Sequence, residues 1–84
     1  PDEPGVLNNH CHILTEAGRA AEGLAYCRRA VEALPDVAVI RHSHAEALAA
    51  VGRCAEAEQE RAEARRLDPT AVRYAEPLIC KTAG

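Results

Sequence analysis

The sequence predicts an all-α domain of five helices in which helical hairpins stack on one another. Prolines and glycines that would end helices recur at a fixed spacing of 34, which is typical of stacked-repeat proteins. Between them, apolar residues follow the periodicity of an amphipathic helix rather than the alternation of a strand. The apolar content is mostly alanine, with no Phe, Trp or Met, so we expect closely packed helices around a thin core.

The repeat is defined by residues that control backbone direction. Pro1, Pro35 and Pro69 fall in register when the chain is shifted by 34 positions, and so do Gly18 and Gly52. Further matched pairs are Asp2 and Asp36, His10 and His44, Leu14 and Leu48, Arg19 and Arg53, Ala21 and Ala55, Glu22 and Glu56, and Ala30 and Ala64. Because proline stops a helix and glycine permits the left-handed turn at a helix end, this recurrence predicts two equal units.

The predicted units are residues 2–35 and 36–69, followed by a capping helix over residues 70–82, in a single domain spanning residues 1–84. The expected helices lie near residues 3–17, 20–34, 37–51, 54–67 and 71–82. Each unit thus holds a first and a second helix joined by a short turn, which requires the two helices to be antiparallel neighbours.

Local signals refine these helices. Asp2 and Asp36 are the predicted N-caps of the first helices, and Thr70 is that of the capping helix. Pro77 should kink or divide the capping helix, because proline removes a helical hydrogen bond. The residues expected to be buried where helices meet are Leu14, Leu24, Ala30, Leu48, Ala57 and Ala64.

These positions resemble the tetratricopeptide repeat, a 34-residue helical hairpin with small residues where its helices cross and a closing proline. The matching residues are Cys11, Ala45, Leu14, Leu48, Gly23, Ala57, Ala30, Ala64, Pro35 and Pro69, together with the phrases Glu-Ala-Gly-Arg (16–19) and Arg-Leu-Asp-Pro (66–69). The resemblance covers about residues 2–69 and implies a short α-solenoid whose first helices line a concave groove.

The resemblance also implies that this groove binds a peptide or the surface of a protein partner. Its lining would be Asn8, His12, Thr15, His42, Glu46 and Ala49. Asn8 resembles the asparagines with which members of the family grip an extended peptide backbone. By the same family geometry, His10 and His44 would face the contact between the two units.

Two histidines and a glutamate of the predicted groove suggest a metal site as a second hypothesis. His42 and Glu46 lie one helical turn apart, and stacked first helices would bring His12 beside them. Such a set is a known metal-ligand combination, but no local metal-binding motif accompanies it. We therefore expect a polar groove with no metal and no other cofactor.

Charge and composition argue against several classes of function. The net charge is −3, the basic residues are dispersed, and the only aromatic residues are two tyrosines, which argues against a nucleic-acid partner. No apolar run is long enough for membrane insertion. The candidate hydroxyl nucleophiles, Thr15 and Ser43, lie in no glycine-rich elbow, and there is no phosphate-binding loop. We therefore do not expect an enzyme.

The four cysteines form no C-x-x-C pair of the kind found in redox motifs and zinc knuckles. We expect reduced cysteines packed as small apolar side chains, and hence cytoplasmic localisation. Two disulfides remain alternatives: Cys11 with Cys27 in the first hairpin, and Cys54 with Cys80 between the fourth helix and the capping helix.

The leading functional hypothesis is a protein-interaction scaffold. The chain opens with Pro-Asp-Glu-Pro-Gly, without an initiating Met or a signal peptide, so we expect a fragment or a processed segment of a longer protein. The alternatives are a regulatory or substrate-presenting segment of a multidomain enzyme, and a structural subunit of a larger assembly. In the last case other chains, or self-association, would cover the exposed end repeats. Abundant alanine, with arginine far exceeding lysine, suggests a bacterial origin.

Overall fold

In the computed structural model, which describes residues 3–81, the chain forms five helices and no strand. In chain order they are α1 Pro4–Glu16, α2 Ala20–Ala33, α3 Ala38–Ala50, α4 Cys54–Leu67 and α5 Val72–Ala75. Helix α1 packs against α2 and α3 against α4, while α3 also contacts α1 and α2. The predicted all-α fold with five helices is therefore confirmed over this part of the chain.

The helix boundaries repeat with the period of the sequence. The helices α1, α3 and α5 begin at positions 4, 38 and 72, and α1 and α3 end at 16 and 50. The helices α2 and α4 begin at 20 and 54 and end at 33 and 67. Each boundary is displaced from its counterpart by one full repeat period, so the two hairpins are structural copies. Helix α5 begins where the first helix of a third hairpin would begin.

Glycine terminates the first helix of each hairpin as predicted. Gly18 and Gly52 have φ angles of 80° and 85°, in the left-handed region. The Arg19 N–H donates to the Leu14 carbonyl at 2.8 Å, and the Arg53 N–H donates to the Leu48 carbonyl at 2.9 Å. This is the Schellman arrangement, which satisfies carbonyls at a helix end and turns the chain sharply into the second helix.

The predicted N-caps are not found. Val37 caps α3 and Ala71 caps α5, and neither makes a side-chain capping hydrogen bond. Asp36 therefore precedes the cap of α3 by one residue, and the Thr70 hydroxyl donates instead to Asp68 at 2.9 Å. Asp2 lies outside the described residues.

The core is built mainly from small side chains. Leu48 is its largest fully buried aliphatic residue, at 1% exposure. The other buried apolar residues are Leu7, Cys11, Ala20, Leu24, Cys27, Ala30, Ile40, Ala45, Ala47, Ala49, Ala57, Ala64 and Tyr74. Five of the six residues predicted to be buried are confirmed, whereas Leu14 is only half-buried.

Helix α5 is shorter than the predicted capping helix. It ends at Ala75, and Glu76 is already extended with ψ of 136°. Pro77 explains this end, because proline disfavours helical geometry in the residue before it. Residues 76–81 then run as a non-helical segment, here called the C-terminal segment. Residue 82 lies outside the described part of the chain.

The C-terminal segment lies along α3. Tyr74, just before it, contacts the ring of His42, and at its far end the Lys81 N–H donates to the Ala49 carbonyl at 2.9 Å. Leu78 and Cys80 pack against the core between these points. The segment thus runs in the same direction as α3. It covers the side of α3 on which α5, if it were longer, would continue as the first helix of a third hairpin.

The expectation of reduced cysteines is wrong. Cys11 is bonded to Cys27, and Cys54 to Cys80. The first disulfide crosses the centre of the α1–α2 hairpin, and both of its residues are fully buried. The second ties the C-terminal segment to the start of α4. The helix hairpin brings the first pair together, but the second depends on the path of residues 76–81, which the repeat does not specify.

Truncation of Leu48 tests the location of the core. Leu48→Ala should lower the free energy of unfolding by about 2–5 kcal/mol, because it removes a large side chain from a fully packed site. The matched control is Leu34→Ala, at 43% exposure, which should change it by about 0.5 kcal/mol or less. Chemical denaturation measures both values. Equal losses in the two variants would contradict this core assignment.

A comparison of the two turn glycines tests the docking of the C-terminal segment. Gly18→Ala and Gly52→Ala should each cost about 1–2 kcal/mol for left-handed geometry. An added Cβ at Gly52 would also lie 2.6 Å from the Lys81 carbonyl oxygen, whereas at Gly18 it would meet nothing within 4 Å. Gly52→Ala should therefore be the more destabilising variant in thermal denaturation. Similar costs would show that Lys81 is not held against this turn.

Candidate functional site

Side chains from α1 and α3 converge on the carboxylate of Glu46. Both the His12 Nδ1 and the His42 Nδ1 lie 3.8 Å from the Glu46 Oε1. The His12 Nε2 lies 3.3 Å from the Glu16 Oε1. The two distances to Glu46 are within ion-pair range but too long for direct hydrogen bonds. The first helices of the two hairpins thus present one polar cluster, as the repeat spacing predicts.

His42 is the buried member of this cluster, at 6% exposure. Its ring is tilted against that of Tyr74, with 5.0 Å between the ring centroids. Burial lowers the pKa of His42 below its ordinary value. The Glu46 carboxylate opposes this shift, while Arg73 and Arg61 reinforce it and Glu76 opposes it. The ring is therefore neutral at neutral pH.

An open cleft of about 320 Å³ adjoins the cluster. Helix α3 forms one wall, and residues from α5 and the C-terminal segment form the other. The lining residues are His42, Glu46, Ala49, Arg73, Glu76, Pro77, Leu78 and Ile79. This first cleft therefore has acidic groups from both walls and one arginine beside an apolar side.

A second cleft, of about 600 Å³, lies at the end of the molecule where the two glycine turns are found. Its lining residues are Thr15, Gly18, Ala20, Ala21, Ala50, Val51, Gly52 and Lys81. The surface predicted as one groove is therefore divided between two clefts. His42, Glu46 and Ala49 belong to the first, and Thr15 to the second.

Besides the buried His42, three of the predicted groove residues are less available to a partner than expected. Ala49 is buried, and its carbonyl already accepts from Lys81. The Thr15 hydroxyl donates to the Cys11 carbonyl at 2.8 Å, one turn back in α1. Asn8 is half-buried, and its Oδ1 is enclosed without a hydrogen-bond partner among the described residues. His12 and Glu46 remain the accessible polar groups.

The other two histidines lie within their own hairpins rather than between the two units. The ring of His10 stacks on Tyr26 of α2, with 4.6 Å between centroids. His44 contacts the Glu60 carboxylate of α4, which also pairs with Arg41 at 2.7 Å. The expectation that these histidines face the contact between units is therefore wrong. The two contacts are equivalent in the repeat, because Tyr26 and Glu60 are one repeat period apart, as His10 and His44 are.

The structure adds residues that the sequence did not single out. Tyr74, Arg73 and Glu76 reach the cluster from α5 and the C-terminal segment. Tyr74 could have been found, because it lies one repeat period after Ile40 and both are buried. Within residues 3–81, no group of three or more His, Cys, Asp or Glu side chains is placed to hold a metal ion.

The fold and the site together define an all-helical hairpin protein with a polar cleft beside its first helices. Comparison with family models, curated proteins and solved structures finds no significant match to this chain. No helix within residues 3–81 combines the length and apolarity needed to cross a bilayer.

Acidification tests the burial of His42. The pKa of His42 is lowered on folding, so the unfolded chain binds more protons than the folded one as the pH falls. The free energy of unfolding is therefore highest above about pH 6.5 and decreases below it. In His42→Gln this contribution to the pH dependence should disappear. Unfolding free energies at pH 7.5 and pH 5.5 compare the two proteins. An equal decrease of the unfolding free energy between the two pH values in both proteins would mean that a group other than His42 causes the loss of stability in acid.

Proposed function

We propose that this protein is a non-catalytic interaction module that binds an extended peptide segment of a protein partner at the first cleft. The observation that carries the proposal is the convergence of His12, His42 and Glu46 from two separate hairpins beside that cleft. Stacked hairpins commonly bind partners on the surface formed by their first helices. The likeness to tetratricopeptide repeats, which rests on the sequence period, supports the same class of function.

The charges around the cleft favour a peptide with a cationic side chain. Glu46 and Glu76 line it, and Glu16 lies 3.3 Å from His12, the histidine of α1 that is 3.8 Å from Glu46. Arg73 is the cationic side chain in the lining. A lysine or arginine of the partner would find acidic groups within reach, whereas a carboxylate would be repelled. The apolar side chains of Leu78 and Ile79 would contact the remainder of the peptide.

The C-terminal segment shows how α3 accommodates an extended chain. Its backbone donates to the Ala49 carbonyl, and Leu78 packs on the core beside α3. Backbone bonding combined with apolar side-chain contacts is a common mode of peptide recognition. The proposed partner would therefore lie alongside the C-terminal segment, which already occupies part of the groove predicted from the first helices.

The proposal assigns no reaction to the described residues. The Thr15 hydroxyl is bonded within its own helix, and Ser43 is buried. The cytoplasmic localisation inferred from the sequence stays a prediction. Because it depended on reduced cysteines, the two disulfides remove its main support.

Selection of peptide ligands tests the proposed function. Short random peptides displayed on phage should yield binders enriched in lysine or arginine. The double variant His12→Ala/Glu46→Ala should weaken their binding about tenfold or more, because one charge-assisted contact is worth about 1.5–3 kcal/mol. Isothermal titration with a selected peptide measures the affinity.

The matched control is Glu22→Ala, which removes an exposed glutamate of α2 that pairs with Arg19. It should leave the affinity unchanged. Circular dichroism confirms that each variant retains its helices. If the selected peptides bind the double variant as tightly as the natural protein, the first cleft is not the binding site.

A further inference from the structure

Helix α1 carries an exposed stripe of apolar and neutral residues, here called the α1 stripe. Val6 is 52% exposed and Ile13 is 62% exposed, and exposed Asn9 lies between them. The spacing of three, four and seven residues places these side chains on one face of the helix. His12, whose ring lies 3.8 Å from Glu46 of the first cleft, is about a quarter turn away around α1. The stripe is therefore a different surface from the proposed peptide site.

The repeat shows what this face is built to contact. One repeat period after Val6 and Ile13, α3 carries Ile40 and Ala47. Those two are buried, at 3% and 0% exposure. The same positions are thus exposed in the first hairpin and covered in the second.

The main neighbour of α3 in the first hairpin is helix α2. Ile40 belongs to one cluster with Ala30 and Val31 of α2. Ala47 belongs to another with Leu24 and Cys27 of α2. Each cluster also holds one residue of α1, so the principal partner of this face is the second helix of the preceding hairpin, which presents small and apolar side chains.

The charge pattern of α1 suits such a contact. From Pro4 to Ile13 the helix contains no Asp, Glu, Lys or Arg. An apolar stripe without charges on a solvent-facing helix is unusual in a chain in which 27% of residues are charged. No charge would have to be desolvated when another helix covers this stretch.

We propose that the α1 stripe is a docking surface for the second helix of another α-hairpin, one that presents the small and apolar side chains of α2. That helix would lie across Val6, Asn9 and Ile13 as α2 lies across Ile40, Ser43 and Ala47. A hairpin docked on the α1 stripe would extend the stack of hairpins at the end of the molecule that α1 forms.

The second hairpin of another copy of this chain does not have the required chemistry. The α4 residues equivalent to Leu24, Cys27 and Val31 of α2 are charged: Glu58, Arg61 and Arg65. The Arg61 side chain also donates to the Tyr74 carbonyl at 3.0 Å, so α5 already covers part of that face. Head-to-tail stacking of identical chains would place these charges against the apolar stripe, which is unfavourable.

Duplication of the first unit supplies a probe helix of the proposed chemistry. In the extended chain, residues 1–35 are followed directly by residues 2–84, so that the added copy of α2 precedes the natural α1. The junction, Leu-Pro-Asp, is the same as the natural one at positions 34–36. Docking should give a single thermal transition with a melting temperature about 5 °C or more above that of the natural chain, as nearest-neighbour contacts add stability. Amide exchange in the natural α1 should also slow.

The control places Val6→Lys and Ile13→Lys in the natural α1 of the extended chain. These changes should remove the gain in melting temperature, while the same pair in the unextended chain should shift it little. Two separate transitions, or an unchanged melting temperature, would overturn the proposal. So would sedimentation showing that the natural chain dimerises and that the double lysine variant is monomeric, because the stripe would then bind a second copy.

Discussion

Close approach of helix backbones, permitted by small residues at the crossings, is the constraint on which this structure depends. A Cβ added at Gly23 would lie 2.9 Å from the Cys11 carbonyl oxygen, so α1 and α2 can pack this closely only around glycine. Ala57, one repeat period after Gly23, is also buried, and so are Ala30 and Ala64, which are equivalent to each other. The consequence is a core with little apolar area per contact. Closure of loops of 16 and 26 residues by the two disulfides contributes about 3 kcal/mol each in the chain-entropy description, which offsets this deficit.

The parts of the fold that follow from local chemistry could be predicted from the sequence. Gly18 and Gly52 determine where the first helices end, because each supplies the left-handed residue of the turn. The prolines after the second helices mark the other boundaries. The length of α5 could not be predicted as well, since Pro77 limits a helix without specifying the path that follows. The Cys54–Cys80 disulfide depends on that path and so was left as an alternative.

The candidate site was predictable to the same extent. His12, His42 and Glu46 converge because the repeat places α1 and α3 side by side with equivalent faces. Ala49 was misjudged because its exposure depends on the C-terminal segment, which breaks the period after Ala75. The burial of His42 has a different origin, since Tyr74 of α5 covers it and lies one repeat period after Ile40. Repetition thus predicts which side chains meet, whereas the non-repeating segment determines that Ala49 is closed to solvent.

The two ends of the stack differ in chemistry although they share one backbone plan. At the α4 end, charged residues replace the apolar residues of α2, and Arg61 bonds to α5. Capping units of stacked-repeat proteins need such a polar outer face in order to remain soluble. At the α1 end, Val6 and Ile13 occupy positions that α3 buries, and no charged residue lies between them. Because selection for a solvated end would favour charge at both, the apolar α1 face is best explained by contact with another helix.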